Sequence, residues 1–373
     1  MEIRTADGSA QFRATTGYEA NMPVFFSDNY KNYITYHKSS NKRFLLLYSN
    51  DYVMPVLIRH YYIFKSVEFE YSPVRYHMGN ESQKDFLDEV CLFLKRHLGI
   101  QWLLPTPPCA LFEAYPTHAK TIKFANTAVD LNRDEETVYS SLSHSFKKEV
   151  KRALKNGVVG KVGKKEYIQD FAKMEAATWK RSGNNVSHIN DSYYEDIVKN
   201  MGDNVIISMV YKDGEPQAGE LSFVDNDTCF GMFAARADGM VEGSNRYSHW
   251  QTMQWCLRNG IKKYVIVGYR LKVDPDSKIA RIQHFKDSLN GVHEEGFMFK
   301  MVFKNSYVKL YGLILSLYGF IRTGKLRKEK GADIISQEIH KWPEYNSDAS
   351  SLGGGKNRYV NAADNNYKLI KAA

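Results

Sequence analysis

The sequence has few of the features that mark metal-binding or extracellular proteins. Only four residues are cysteine, and they are widely spaced, with no Cys-x-x-Cys pair and no cysteine and histidine cluster at zinc-ligand spacing. A His-Glu-x-x-His motif and a Gly-x-Ser-x-Gly nucleophile motif are both missing. We therefore expect buried thiols in a reducing compartment, no metal site, and no covalent intermediate on a serine.

The sequence also lacks an apolar run long enough to cross a membrane. The most apolar stretch, 307–321, contains a lysine and is shorter than the ~20 residues that a spanning helix needs. The first residues include Glu2, Arg4 and Asp7, which is not the pattern of a secretory signal. We expect a cytoplasmic protein.

Size and charge narrow the class of protein. A chain of 373 residues exceeds the usual size of one hydrophobic core, so two domains are expected. Lys and Arg exceed Asp and Glu by 51 to 42, a net charge of +9, which favours a phosphate-bearing partner such as a nucleotide carrier, a tRNA or an anionic lipid surface. Solubility alone explains the charge equally well.

The two halves of the sequence show a similar order of elements. In the first, a hairpin is predicted at 44–48 and 52–64, a helix from a Ser82 cap to Gly99, and strands at 100–104 and 122–131. In the second, strands are predicted at 205–211, 218–224 and 228–235, a helix ending at Gly260, a strand at 264–267, a helix at 279–289 and a strand at 296–303. An internal duplication explains this order, and coincidence remains the alternative.

A basic helix is predicted between the halves. Phe146, Val150 and Leu154 form its apolar stripe, and its other face carries Lys147, Lys148, Lys151, Arg152 and Lys155. That face would suit a tRNA or a lipid-linked phosphate, or would simply be solvated. We divide the chain into an N-terminal module at 1–132, a C-terminal catalytic module at 133–305, and a C-terminal helix with a loosely ordered tail at 306–373.

Three segments carry a resemblance to a known family. They are Phe-Lys-Lys-Glu-Val-Lys-Arg-Ala-Leu-Lys-Asn-Gly-Val at 146–158, the strand, helix, Gly, strand pattern at 230–268, and Ile-Gln-His-Phe-Lys-Asp-Ser-Leu-Asn-Gly at 282–291. These segments resemble the Fem family, the peptidoglycan bridge-forming transferases, and their GNAT-like relatives. The resemblance implies an α/β (α+β) fold of two tandem GNAT-like modules, each a mixed, largely antiparallel sheet flanked by helices.

The same resemblance implies an activity. It predicts an N-acyltransferase or aminoacyltransferase that moves a group from acyl-CoA or aminoacyl-tRNA to an amine of a cell-envelope or surface-polysaccharide precursor, with no permanently bound cofactor. The acceptor would be a small molecule or lipid-linked. One departure weakens the acyl-CoA interpretation: the stretch at 236–245 lacks the Arg/Gln-x-x-Gly-x-Gly/Ala spacing that holds a pyrophosphate at a helix N terminus.

Three residues are candidates for catalysis. The resemblance places a lysine at Lys286, whose cation would stabilise a carrier phosphate or transition-state charge, although an ordinary solvated lysine is the alternative. Glu220 shares one predicted strand face with Ser222, so its carboxylate could act as a general base or simply face water. Tyr269 ends the next strand, where open α/β sheets place ligands.

The candidates for substrate or carrier binding are basic or polar residues near strand and helix ends. They are Arg236, Arg270, Lys151 and Arg152, together with Asn245, Arg246 and His249 at the predicted start of the central helix, where free N-H groups favour an anion. Ordinary helix capping is the alternative for the last three.

Two further hypotheses remain open. The apolar helix at 307–321, with the basic cluster up to 330, would contact an anionic membrane or pack on the protein core. The whole protein could instead be a catalytically degenerate module that binds an anionic polymer or a membrane surface.

Overall fold

The computed structural model describes residues 1–36, 41–181, 191–323, 333–342 and 344–345. The loosely ordered tail predicted at the end of the chain lies, from residue 346 onward, outside the described residues.

Within the described residues the chain forms thirteen strands and eleven α-helices. The strands are β1 (Arg4–Ala6), β2 (Lys42–Tyr48), β3 (Tyr52–Tyr61), β4 (Phe64–Phe69), β5 (Val74–Arg75), β6 (Trp102–Leu103), β7 (Lys120–Asp130), β8 (Val159–Gly163), β9 (Val205–Lys212), β10 (Glu215–Val224), β11 (Thr228–Arg236), β12 (Lys263–Tyr269) and β13 (Val292–Val302). The helices are α1 (Ser9–Thr16), α2 (Asp28–Tyr36), α3 (Gln83–Arg96), α4 (Glu135–Ser141), α5 (His144–Lys155), α6 (Ile168–Arg181), α7 (Asp191–Met201), α8 (Ser244–Arg258), α9 (Lys278–Asp287), α10 (Asn305–Thr323) and α11 (Ile334–Lys341).

The chain forms two compact units that alternate along the sequence. The first comprises the described residues of Met1–Glu19, Lys38–Phe124 and Glu295–Ala373, and the second those of Ala20–His37 and Ala125–Glu294. Compact units are defined by contacts, whereas the modules at 1–132 and 133–305 are defined by a proposed duplication. The module boundaries therefore stay a prediction.

The first unit is built on a sheet in the order β1, β2, β3, β4, β6, β13, with β5 paired to β3. Its pairs are antiparallel except for the parallel pair of β4 and β6. Helix α3 packs on this sheet through Phe86, Val90 and Leu94, and the Ser82 side chain accepts a hydrogen bond from the Asp85 amide, as the predicted cap requires. The single strand predicted at 52–64 is wrong, because the chain turns at Tyr62, whose φ is 52°.

The second unit is built on a sheet in the order β7, β12, β11, β10, β9, β8. Its pairs are antiparallel except for the parallel pair of β11 and β12. Helices α5 and α8 share one apolar core with this sheet, and α6 and α7 contribute Phe171 and Tyr194, whose ring centroids lie 5.2 Å apart. The mixed, largely antiparallel α/β architecture predicted from the sequence is confirmed.

The apolar stripe of α5 differs by one residue from the predicted stripe. Phe146, Val150 and Ala153 are fully buried, while Leu154 is 49% exposed. At 100° per residue, Ala153 lies closer to the mean direction of Phe146 and Val150 than Leu154 does. The burial therefore follows helical geometry more closely than side-chain hydrophobicity.

Helix α10 buries only part of its surface. Val308 and Tyr311 lie in a cluster with Phe64, Trp102 and Leu104, whereas the opposite face of the helix is exposed. Of the helices in the described part of the chain, none has the length and apolar character needed to cross a bilayer. The basic residues predicted to follow α10 from Lys325 to Lys330 lie outside the described residues.

Candidate active site

The parallel strands β11 and β12 separate part-way along their length. Their ladder runs from Thr228 opposite Lys263 to Gly231 opposite Ile266. Both strands are fully described, and beyond this point residues 232–236 have no pairing with residues 267–269. Each strand instead continues beside its other neighbour, β10 or β7. The two strands therefore part at Gly231 and Ile266, and we call the space beyond this apex, where their backbones do not pair with each other, the opening.

A β-bulge lies on the β11 edge of this opening. In the ladder with β10, Leu221 pairs with Phe233 and Ser222 pairs with Gly231, so Met232 is the extra residue. A bulge leaves its extra residue outside the ladder and turns the local strand direction. The Met232 backbone is therefore positioned beside the apex without a partner in the β10 ladder.

Lys286 lies at a second irregularity, on the β12 edge. The register between β12 and β7 shifts between Ile266 and Tyr269, and Gly268, with a φ of 88°, donates its N-H to Asn126 Oδ1 at 2.7 Å. Lys286 Nζ donates to the carbonyl oxygens of Val267 and Gly268, each at 2.6 Å.

The ammonium of Lys286 retains one donor. It has three N-H groups, two are used on backbone carbonyls, and the third has no partner among the described residues. The side chain is only 6% exposed, and burial lowers the pKa of Lys286 to about 8. The alternative of an ordinary solvated lysine is therefore wrong, because this cation is buried and held by the backbone of the opening.

A buried polar network lies at the apex, centred on Glu220. Tyr264 donates its hydroxyl proton to the Glu220 carboxylate at 2.7 Å, and Thr252 donates to Oε2 at 2.8 Å. The Ser208 and Thr252 hydroxyls lie 2.8 Å apart, and the Ser208 hydroxyl also lies 3.2 Å from the Ser248 carbonyl oxygen. All four residues are at most 2% exposed. A buried carboxylate with several donors is a stable arrangement, since each hydrogen bond offsets part of the cost of burial.

His249 joins the same network. Its Nδ1 lies 2.6 Å from the Tyr264 hydroxyl and 3.2 Å from Glu220 Oε1. Burial, together with the Glu220 carboxylate, raises the pKa of Tyr264, so the phenol keeps its proton. Because that proton goes to Glu220, the Tyr264 oxygen is the acceptor in its contact with His249 Nδ1.

The network contacts both the apex and the helix that carries Lys286. A Cβ atom on Gly231, the last β11 residue that pairs with β12, would lie 2.2 Å from Glu220 Oε1, so a larger residue there would displace the Glu220 carboxylate. The His249 ring packs on Phe285 with a centroid distance of 4.9 Å, and Phe285 directly precedes Lys286. Lys286, His249, Tyr264 and Glu220 are therefore brought together by β10, β12, α8 and α9.

Two expectations about these residues need correction. Glu220, Leu221, Ser222 and Phe223 are all buried, because helices α8 and α6 both pack against β10, so the alternative that Glu220 faces water is wrong. His249 does not lie at the start of the central helix: α8 begins at Ser244, which places His249 on the second turn inside the unit. In both cases the sequence alone predicted a solvent-exposed side chain, whereas the structure buries it between the sheet and a helix.

The other candidates on β12 and α9 lie at the wide end of the opening. The ring of Tyr269 stacks on His293 at a centroid distance of 3.9 Å. Burial and a hydrogen bond to Asp287 raise the pKa of Tyr269. Gln283, one turn before Lys286, donates to the Arg270 carbonyl oxygen, while its own Oε1 is buried and has no hydrogen-bond partner among the residues that the structure describes.

The remaining candidates are more scattered. Arg236 ends β11 and is exposed, while its backbone is held by Thr178 and Arg181 of α6. Arg246 lies 5.7 Å from the Phe285 ring centroid, and the Asn245 carbonyl accepts from Ser248. Lys151 and Arg152 lie on the exposed face of α5, where Arg152 forms an ion pair with Glu242.

The start of α8 is packed against α5. A Cβ atom on Gly243 would lie 2.0 Å from the Glu149 backbone oxygen, and Ser244, the first helical residue, is fully buried. Its hydroxyl has no hydrogen-bond partner in the described part of the chain. This packing argues against a pyrophosphate held by the first amides of α8, in line with the loop spacing found in the sequence.

Several residues of the site were not predicted. In the sequence, Tyr264, Thr252 and Ser208 have the pattern of ordinary core residues. Only strand pairing and the packing of α8 bring them next to Glu220. Met232 is the extra residue of a bulge, and Asn126 accepts a hydrogen bond from the Gly268 backbone. Neither feature leaves a pattern in the sequence. Gln283 had a signal that was missed, since it lies three residues before Lys286 on the same helical face.

A separate cleft of about 910 Å³ lies in the first unit and contains none of the predicted site residues. Its lining includes Asp51, Glu81 and Asp88. Asp51 already accepts hydrogen bonds from the Glu81 amide and from His77. In the described part of the chain, no group of acidic, histidine or cysteine side chains has the arrangement of a metal site.

Comparison with known proteins agrees with this geometry. Residues 140–272 match the acetyltransferase (GNAT) domain family, and that segment contains both strands of the opening. Residues 140–272 form a GNAT domain. Lys286 lies just outside the matched segment.

One solved structure shows a similar fold over most of the chain. The structure of FemX is similar to it with a TM-score of 0.59 at 12% identity, covering 82% of this chain and 99% of FemX. A tandem GNAT protein from the clavulanic acid biosynthesis pathway is less similar, with a TM-score of 0.48 at 8% identity, covering 81% of this chain and 98% of that protein. L-PGS from Bacillus licheniformis has a TM-score of 0.46 at 10% identity, covering 69% of this chain and 83% of L-PGS. No protein of curated function matches the sequence. The predicted Fem-like, GNAT-superfamily fold is confirmed.

Proposed function

We propose that this GNAT protein transfers an aminoacyl or acyl group to an amine of a cell-envelope or surface-polysaccharide precursor, with the activated carbonyl held in the opening between β11 and β12. The observation that carries the proposal is the buried Lys286 ammonium, which keeps one N-H donor at this opening. Acyl transfer needs donors aimed at a developing oxyanion, and such donors are most effective where water is excluded.

In the proposed reaction the acceptor amine attacks the carbonyl carbon directly. A C-N bond forms, the carbonyl oxygen becomes an oxyanion, and the C-O bond of an ester or the C-S bond of a thioester then breaks. Lys286 and the Met232 amide are the proposed donors to the oxyanion. The amine proton passes to the network of His249, Tyr264 and Glu220, and the leaving oxygen or sulfur takes up a proton.

The proposed donor is the ester of an aminoacyl-tRNA rather than acyl-CoA. The packing of Glu149 on Gly243 at the start of α8 supports this choice, because it covers the amides that would hold a pyrophosphate. The proposed contacts for the carrier phosphates and for the acceptor are the candidate residues outside the network. They are Arg236, Asn245, Arg246, Tyr269, Arg270, Lys151 and Arg152.

Thermal unfolding of the full chain tests the donor class. A ligand that binds only the native state at about one hundred times its Kd adds about 2.7 kcal/mol of stability. We expect an aminoacyl-tRNA mixture to raise the melting temperature more than uncharged tRNA does, and Lys286→Met to reduce that difference while the exposed Lys173→Met does not. If acetyl-CoA alone stabilises the protein, the donor is a thioester and not the proposed tRNA ester. No shift with any donor would favour the degenerate binding module.

A further inference from the structure

The exposed face of α10 is almost wholly apolar. Six large side chains on it are between 42% and 80% exposed. These are Leu310, Leu313, Ile314, Leu317, Tyr318 and Ile321. Their spacing of three, four and seven residues places them on one side of the helix, away from buried Val308. Isolated exposed apolar residues are common, but a continuous row of this length marks a surface that is covered in function.

The turn between β3 and β4 adds a second apolar element beside this helix. Tyr61, Tyr62 and Ile63 form the turn, and Tyr62 is 81% exposed. The next residue, Phe64, packs on Tyr311 of α10 with a centroid distance of 4.7 Å, which anchors the turn to the helix. We call the six exposed residues of α10 together with Tyr61, Tyr62 and Ile63 the α10–turn surface.

The chain around this surface is rich in basic residues, although one of them, Arg59, forms an ion pair with buried Glu68 at 2.6 Å. Residues 301–323 contain no Asp or Glu, but contain Lys304, Lys309 and Arg322. Residues 57–67 also lack acidic residues and contain Arg59, His60 and Lys65. Lys309 is exposed beside Leu310 at the border of the apolar row.

This combination favours a lipid surface over a second copy of the chain. A two-fold dimer contact through α10 would bring two identical surfaces together, and their positively charged residues would repel each other. An anionic bilayer supplies the opposite charge at its headgroups and an apolar layer beneath, and tyrosine side chains are suited to the boundary between them.

We propose that the α10–turn surface docks the protein on an anionic phospholipid membrane, with Leu313, Leu317 and Ile63 inserted at the acyl boundary and the lysines at the headgroups. The proposal gives a reason for a lipid-linked acceptor and in that respect rests on the proposed function. Its evidence, however, lies entirely in the first unit. Removing apolar side chains from the surface should therefore affect membrane binding and leave the chemistry of the second unit intact.

Co-sedimentation of the full chain with vesicles tests the proposal. We expect binding to vesicles of phosphatidylglycerol and phosphatidylcholine, and at least tenfold weaker binding to phosphatidylcholine alone or in high salt. The double variant Leu313→Glu/Leu317→Glu and the turn variant Tyr62→Ser/Ile63→Ser should each reduce binding at least tenfold. Met78→Glu is the matched control, because Met78 is 90% exposed in the same unit and outside this surface.

Three outcomes would overturn the proposal. They are equal binding to neutral and anionic vesicles, unchanged binding by both surface variants, and a wild-type dimer that Leu313→Glu/Leu317→Glu converts to a monomer in light scattering. The last result would make a second copy the occupant. The shifts in melting temperature caused by the donor should also be measured in these variants, because they separate membrane docking from acyl transfer. A variant that loses membrane binding but keeps the normal shift is affected in the α10–turn surface alone.

Discussion

The Lys286 ammonium lies 2.6 Å from the carbonyl oxygen of Gly268, at the place where β12 leaves the ladder with β11. The same hydrogen bond therefore holds the edge of the opening and directs a buried cation toward it. A lysine in this position has two roles that mutation can separate. One is to keep the β12 backbone in its irregular path, and the other is to donate its third N-H to a substrate oxygen.

Replacement of Lys286 should separate these roles. Lys286→Met removes both charge and donors, and we expect transfer to fall by about 10²- to 10³-fold, the usual effect of losing one oxyanion donor. Lys286→Arg keeps a permanent charge and should retain more activity than Lys286→Met. Steady-state transfer rates, measured beside far-ultraviolet circular dichroism, check this. Equal losses in the two variants would point to a purely structural lysine.

The rate should also depend on pH through Lys286. Because burial lowers the pKa of Lys286 to about 8, the side chain is charged below that pH and becomes neutral above it. We expect the transfer rate to fall with a midpoint near pH 8, and this alkaline limb to disappear in Lys286→Arg, since arginine stays protonated. A profile of rate against pH for both proteins provides the measurement, and an identical limb in both would assign it to another group.

Glu175 should make the stability of the fold depend on pH. It is buried on α6, its Oε2 has no hydrogen-bond partner within the described ranges, and burial raises the pKa of Glu175 from 4.5 to about 7. The native state then binds more protons than the unfolded state between these values, so the free energy of unfolding should fall as pH rises from about 4.5 to 7. The whole change is about 3 kcal/mol.

Glu175→Gln removes this titration. Urea unfolding at pH 5 and pH 8 should give a smaller difference in the free energy of unfolding for the variant than for the wild type. Glu166→Gln, at an exposed carboxylate near the start of the same helix, is the control and should leave the difference unchanged. If Glu175→Gln keeps the full pH dependence, the carboxylate is not the group responsible.

The buried network should behave as one unit. Tyr264→Phe removes one donor to the Glu220 carboxylate, and Thr252→Val removes another. Leaving a buried charge short of a donor costs about 1–3 kcal/mol. Because both hydroxyls serve the same carboxylate, we expect the double variant to depart from additivity, and a double-mutant cycle of unfolding free energies measures the coupling. Strict additivity would contradict a shared role.

Two glycines of one loop test the packing of α5 on α8. Gly239 and Gly243 have φ values of 67° and 90°, so alanine costs roughly 1–2 kcal/mol of backbone strain at either position. At Gly239 nothing lies within 4 Å of the added Cβ, whereas at Gly243 it would meet the Glu149 oxygen at 2.0 Å. Gly243→Ala should therefore be the more destabilising by about 1–3 kcal/mol. Equal losses of stability would argue against the close approach.

The extent to which the sequence predicted this protein varies with the range of the interactions. The Ser82 cap, the helix that ends before Gly99 and the meander of β9, β10 and β11 are local patterns, and each is found in the structure. The hairpin turn at Tyr62 and the burial of Ala153 in place of Leu154 were missed because neither follows from hydrophobic spacing alone. Lys286 was found through a resemblance in a short motif, but its two carbonyl partners lie eighteen and nineteen residues away.

Local sequence determined which segments of this protein form strands and helices, because backbone propensity and the period of apolar residues act within a few residues of one another. Tertiary structure alone decided where β11 and β12 part, which carboxylate is enclosed by Tyr264, Thr252 and His249, and how Lys286 is desolvated. Those features depend on strand register, bulges and packing between distant segments, and their energies arise only when the chain has folded.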